Sequence, residues 1–340
     1  MSARRAKTIV TTLIATIALA LIAIPAALAA FSSNTENPGD TITAAPDFVS
    51  PAITATAVGK TQGGATGFVK KGGTYFVYAN ISADTGNPAS GLATVKANAA
   101  ELSSSQTAAT MTAGSYTAGG ASYNYRSAEL TANATVEGSK TIPITATDVA
   151  GNAGTVNATA NLDGVAPTAT DIQTTNVAAG TSGLAEIGDK ITYTYSEPIE
   201  PESILAGWNG TSTNVVVRLV DNGLLGLPAG NDEAVVYNAA NSTQLPMGAI
   251  NMGRSDYVAG LLGGSVYFGA TGTASSMAMS GNAITITLGT YSAESILVAR
   301  GTAAGTGTMV WTPVATPFDL AANVMATTPA TESGVADKDF

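Results

Sequence analysis

Asp148-Val-Ala-Gly-Asn152, then Ala153-Gly-Thr-Val-Asn-Ala-Thr-Ala-Asn-Leu162, then Asp163-Gly-Val-Ala-Pro167 is the stretch that decides the fold. Val156, Ala158, Ala160 and Leu162 alternate with Thr155, Asn157, Thr159 and Asn161. A period of two is the mark of a half-buried β-strand. The segment before it is turn chemistry, because Gly and Asn tolerate positive φ and Asp bonds its own backbone. Pro167 cannot extend a sheet ladder, so a new unit starts there. The stretch therefore predicts the last turn and last strand of one β-sandwich and the joint to a second.

Working outward, the composition fits that reading. The chain has 340 residues, enough for about two domains. Apolar residues make up 45% and charged residues only 11%, too apolar for a disordered chain. Histidine and cysteine are both absent, which removes imidazole bases, thiol nucleophiles, disulfides and His/Cys metal sites together.

Residues 1–29 read as a signal peptide. Arg4, Arg5 and Lys7 precede an apolar run from Ile9 to Leu28, and Ala27-Leu-Ala29 is a small-x-small cleavage site. An uncleaved membrane anchor is the rival reading. Removing the segment leaves 11 of the 14 basic residues against 24 acidic ones, a net charge of about −13. Such a surface repels nucleic acid and anionic lipid. Residues 30–50 form a polar lead-in. Its Ala30-Phe-Ser-Ser33, Asn37-Pro-Gly-Asp-Thr41 and Thr43-Ala-Ala45 resemble the export segment of the camelysin and TasA-like biofilm-fibre family, processed by an endoplasmic-reticulum-type signal peptidase. That resemblance implies export to the cell surface or medium, not fibre formation.

Short alternating runs follow at 53–58, 75–81, 92–98, 123–130 and 141–147, separated by Gly, Asn and Asp clusters. Strands at this spacing predict a sandwich of about seven strands over 51–163. Pro143 inside its run predicts an edge strand or a bulge. The second unit, 164–340, carries Ile187-Gly-Asp-Lys-Ile-Thr-Tyr-Thr-Tyr195 running into Ser196-Glu-Pro198. It ends near Asp319-Leu-Ala-Ala-Asn323, which copies the spacing of Asp148 to Asn152 with Ala322 in the glycine position. The repeated device supports two domains of one broad type. On Pro51, Gly91-Leu-Ala-Thr-Val95 and the Asp148–Asn152 turn, the first unit resembles bacterial immunoglobulin-like surface domains. The Tyr-Ser-Glu-Pro turn gives the second a resemblance to immunoglobulin-like domains of S-layer proteins. The expected fold is all-β: two immunoglobulin-like β-sandwiches in tandem after an N-terminal signal helix. The extra length of the second lies in 222–280, as further strands or long loops.

The candidate metal-ligating residues are Asp148, Asn152 and Asp163 near the joint, and Asp319 and Asn323 at the copied turn. Ca²⁺ takes six to eight oxygen donors on flexible loops. The competing reading is that the Asp and Asn of each turn only stitch it by side-chain to backbone bonds. Glu332 and Asp337 are candidates for a terminal site. Glu197, Glu200 and Glu202 crowd one loop, and paired carboxylates can run glycoside hydrolysis; a solvated turn is the plainer reading. Trp208, flanked by Gly and Asn, is the candidate ligand residue, either stacking on a sugar or capping the core. Trp311 reads as core. No catalytic residue and no organic cofactor is predicted, with Ca²⁺ as the candidate ion.

The function expected from sequence is a non-catalytic secreted or cell-surface spacer. The second reading is an adhesin that recognises glycan or protein through loops of 222–280, and a hydrolase comes third. Expected partners are cell-wall or matrix components or a glycan or protein ligand. Nucleic acid is not among them, and the membrane enters only through the signal segment.

Overall fold

A computed structural model of the chain describes residues 47–86, 88–223, 230–260 and 263–340. Residues 1–29, expected from sequence to be a signal peptide, and residues 30–46 of the lead-in lie outside the described residues, as do 224–229 and 261–262 of the 222–280 region. No helix among the described residues is long and apolar enough to cross a membrane.

The first half is all strand: β1 (Ile53–Lys60), β2 (Phe68–Lys70), β3 (Thr74–Ile81), β4 (Leu92–Ala97), β5 (Ala109–Ala118), β6 (Ala121–Ser127), β7 (Leu130–Thr131), β8 (Gly138–Asp148) and β9 (Ala153–Asp163). They hydrogen-bond in the order β1-β3-β6-β5-β4-β8-β9-β2, with β7 on β3. One layer is β1, β3, β6 and the far part of β5; the other is β4, β8, β9 and β2, with β5 passing from one to the other. Period-two alternation builds the core between them. Tyr75, Val77, Ala79 and Ile81 of β3 face Ile142, Ile144 and Ala146 of β8 and Ala158, Ala160 and Leu162 of β9. Val156 departs from its pattern and is exposed.

Pro143 also departs from expectation. β8 is an interior strand, paired with β4 on one side and β9 on the other. The proline is tolerated because β4 ends at Ala97, opposite Ile144. One step further the Asn98 N–H still donates to the Pro143 carbonyl at 2.8 Å, but proline has no N–H to return the bond, and the β4 ladder stops there.

The second half contains β10 (Ala169–Thr175), β11 (Lys190–Tyr195), a four-residue helix α1 (Pro201–Ile204), β12 (Thr213–Asp221), β13 (Glu233–Asn238), β14 (Ala249–Asn251), β15 (Val258–Gly260), β16 (Gly264–Phe268), β17 (Ser275–Ser280), β18 (Ala283–Thr287), β19 (Tyr291–Ala293), β20 (Val298–Arg300), β21 (Val310–Thr312) and β22 (Ala330–Thr331). Its main sheet runs β10-β11-β18-β17-β12-β13-β14-β21-β22. β12 is its spine: Thr213 to Val215 pair with β17 and Val217 to Asp221 with β16, while β13 takes the other edge. The two ends of the sheet pack on each other through Trp311, whose ring stands edge-on to Tyr193 and Tyr195 at 5.1 and 5.0 Å. Much of the 222–280 region is strand rather than loop, supplying β13 to β17.

Each half has its own apolar core, and among the described residues no strand ladder crosses between them. The architecture is all-β, two sandwiches in tandem.

Candidate metal centres

The turn between β8 and β9 closes on itself. Asp148 N–H donates to the Asn152 carbonyl at 3.0 Å, and Gly151 N–H to the Asp148 carbonyl at 3.3 Å. The Asp148 carboxylate accepts the Asn152 N–H and the Asn152 side-chain amide, both at 2.7 Å. The second turn repeats every one of these bonds. Asp319 N–H reaches Asn323 O at 3.0 Å, Ala322 N–H reaches Asp319 O at 3.1 Å, and the Asp319 carboxylate takes both Asn323 donors at 2.8 Å. Even the backbone sign is kept: φ is 95° at Gly151 and 77° at Ala322. Ala322 thus adopts the glycine conformation despite its Cβ.

Each turn also holds the chain that enters its sandwich. The Asn152 amide donates to the Asp47 carbonyl at 3.0 Å, and the Asn323 amide to the Asp163 carbonyl at 3.4 Å. This brings a second acid beside each turn, and the loop after the β3 or β11 strand brings a third. Asp47, Asp84 and Asp148 lie with carboxylate oxygens within 4.8 Å of one another, and so do Asp163, Glu197 and Asp319. The two clusters correspond residue by residue: lead-in Asp, loop acid, turn Asp.

The sequence candidates are therefore regrouped. Asp148 and Asp319 each belong to a cluster, but Asp163 joins Asp319 rather than Asp148. Asn152 and Asn323 point their amide N–H groups at the carboxylates, the turn-stitching role that the sequence also allowed. Asp47 and Asp84 were missed. Only the correspondence of Asp47 with Asp163, each ahead of a first strand, could have suggested the former. Trp208 is buried, with its indole N–H on the Thr211 carbonyl at 2.5 Å, so it caps the core and offers no ring face to a sugar. Glu197 and Glu200 do not converge, because Glu200 is bound by Lys60 and Ala65 of the first sandwich. Glu332 lies among Asp337 and Asp171, whose charges add to burial in raising its pKa.

Electrostatics separates the clusters. Backbone N–H groups of Val49 and Ser90 hold the Asp47 carboxyl below its usual range. Glu197 has no such donors: burial first, then the charges of Asp163 and Asp319, push it to about 7. Asp319 is raised as well, chiefly by burial. All donors at both clusters are hard oxygens, the set that suits Ca²⁺.

No family model matches the chain, and no curated protein does. Among solved structures it is similar to the adhesin FdeC of Escherichia coli at 15% identity, over 84% of this chain and 67% of that one, with a TM-score of 0.22. Dimeric latent PorU from Porphyromonas gingivalis matches at 15% identity and a TM-score of 0.22, over 75% of this chain and 21% of that one. The C-terminal domain of the Streptococcus pyogenes antigen I/II-family protein AspA matches at 13% identity and a TM-score of 0.22, over 85% and 100%. Likenesses this low assign no function, and the all-β architecture stands on the sheets and cores described above.

Proposed function

We propose that the chain is a non-catalytic, exported spacer of the cell surface or matrix, whose two sandwiches are set in one fixed relation by Ca²⁺. The observation that carries this is the repeated carboxylate cluster, one at the entry to each sandwich. The second takes Asp163 from the end of β9 and Glu197 and Asp319 from the following sandwich. An ion there ties the two modules through their own backbone joint. Asp163 and Asp319 supply acidic oxygens, Glu197 supplies a third on losing its proton, and the Asn323 amide holds the lead-in carbonyl in place. Limited proteolysis with Ca²⁺ and with chelator tests the reading: cleavage near 163–168 should slow with the ion, and equal rates would oppose it.

A second reading, an adhesin-type module, is favoured by one feature. Ile296 is fully exposed and Leu297 is 61% exposed on the loop between β19 and β20. That loop leads into Val298, which pairs with Gly260, at the end of the sandwich where Asp221 pairs with Gly264. Loops at a sandwich end are where binding sites sit. A glycan array or matrix pull-down with saturable signal, lost in Ile296→Asp, would favour this reading over the spacer.

A further inference from the structure

We propose that the first sandwich carries a pocket for the carboxylate of an acidic monosaccharide, organised by Arg126. The pocket lies on the outer face of β1, β3 and β6, under the tip of the β5–β6 hairpin. The register of β5 against β6 breaks between Ala113 and Tyr116. Beyond the break the hairpin tip reaches the β1–β2 loop, where Gly119 sits so close to Thr66 that any side chain would collide with it. A cavity of about 180 Å³ remains, lined by Thr61, Thr66, Thr117, Tyr78, Arg126 and the backbone of Gly63, Gly64 and Gly119.

Arg126 is held there as a fixed plane. Its guanidinium lies between two aromatic rings, 4.2 Å from the Phe76 centroid and 4.5 Å from that of Tyr116. Among the described residues it has no acidic partner, and its Nε is buried without a hydrogen bond. Arg218 and Arg300 also stack on tyrosine rings without an acidic partner, but Arg218 is held by Asn241 and Arg300 by the Ala185 carbonyl, whereas Arg126 lines the cavity with its charge unpaired. The other cation of the pocket, Lys60, is already neutralised by Glu200. One planar fork matches a carboxylate in two parallel bonds. A dianionic phosphate would leave excess charge next to Glu200. Threonine hydroxyls and glycine backbone groups offer neutral partners for sugar hydroxyls. The volume is below the roughly 300–1,000 Å³ of sites that enclose larger ligands, so a single ring is the limit.

The proposal uses no calcium, and its test is run on the full chain in chelator. Glucuronate, glucose, acetate and inorganic phosphate are titrated by calorimetry. Saturable glucuronate binding is expected, about tenfold or more tighter than glucose, which lacks the charge-assisted pair, and than acetate or phosphate, which lack the ring hydroxyls that meet the threonine and glycine groups. Arg126→Gln should abolish it. Thr117→Glu should do the same by placing a like charge at the exposed mouth while leaving the melting temperature unchanged, which separates loss of the site from loss of the fold. Absence of glucuronate binding, equal binding of acetate or phosphate, or binding that survives both substitutions would overturn the assignment. The calcium reading stands or falls separately, on melting curves with the ion.

Discussion

Lys60 of the first sandwich and Glu200 of the second meet at 3.0 Å, with side chains only 2% and 6% exposed. The Lys60 ammonium also reaches the Ala65 carbonyl at 3.0 Å, and the Ala65 N–H returns to Glu200 Oε2 at 2.9 Å. Gly64 lies against the same carboxylate, where a Cβ would collide with it. The β1–β2 loop thus grips an acid from the neighbouring module. Removing one member leaves the other charge buried and unpaired, a cost of about 3–5 kcal/mol. Glu200→Gln and Lys60→Met should each lower stability by that order and split one calorimetric transition into two. The Lys60→Met/Glu200→Met double variant should recover much of the loss. A double variant as damaged as the singles added together would show that the pair is not coupled.

The two copies of the turn differ in strain. An L-residue in the left-handed region costs about 1–2 kcal/mol, and glycine in its place loses about 0.5–1 kcal/mol of that gain to chain entropy. Ala322→Gly should therefore stabilise by roughly 0.5–1 kcal/mol, and Gly151→Ala should destabilise by about 1 kcal/mol. Denaturant midpoints of the two variants check both signs.

Acidity should stabilise the ion-free protein. Glu197 and Asp339 are raised to about 7, and Asp232 to about 6, in each case mainly by burial. A carboxyl whose folded pKa is raised contributes stability that is full below its unfolded value and lost as pH climbs through the folded one. The window is thus from about pH 4 to about pH 7, and melting temperature in chelator should fall across that range. If Ca²⁺ binds as proposed, it must displace the Glu197 proton, and the gain from Ca²⁺ should then grow over the same range. A melting temperature that rises with pH in chelator would contradict the assignment.

Tyr193 and Tyr195 place both hydroxyls in the core without partners. An unpaired buried hydroxyl carries a desolvation cost of about 1–3 kcal/mol. Tyr193→Phe and Tyr195→Phe should accordingly be neutral or stabilising, with the Trp311 packing intact. A loss above about 1 kcal/mol in urea melts would indicate a hydrogen bond that the geometry does not show.

How much of this was legible in the sequence depends on the range of the contact. The turn from Asp148 to Asn152 and its copy were readable because every bond in them lies within five residues, and the β9 alternation followed directly. The Ala109–Ala118 strand was not, because Gly114 and small polar residues blur its period and its two ends serve different layers. Pro143 misled because proline reports its own missing donor and not where the neighbouring strand stops. Asp84 and Glu197 enter their clusters only once β3 and β11 have found their places, and the Lys60–Glu200 pair spans 140 positions that no local pattern connects.

The most direct test of the central claim is calorimetric titration of Ca²⁺ into the full chain at neutral pH, with melting curves taken in parallel. Two binding equivalents are expected, one lost in Asp148→Asn and the other in Asp319→Asn. A saturating ion should raise the melting temperature by several degrees, as about 2.7 kcal/mol at a hundredfold excess over Kd would do. Absence of binding heat together with superimposable melting curves in Ca²⁺ and chelator would contradict the claim.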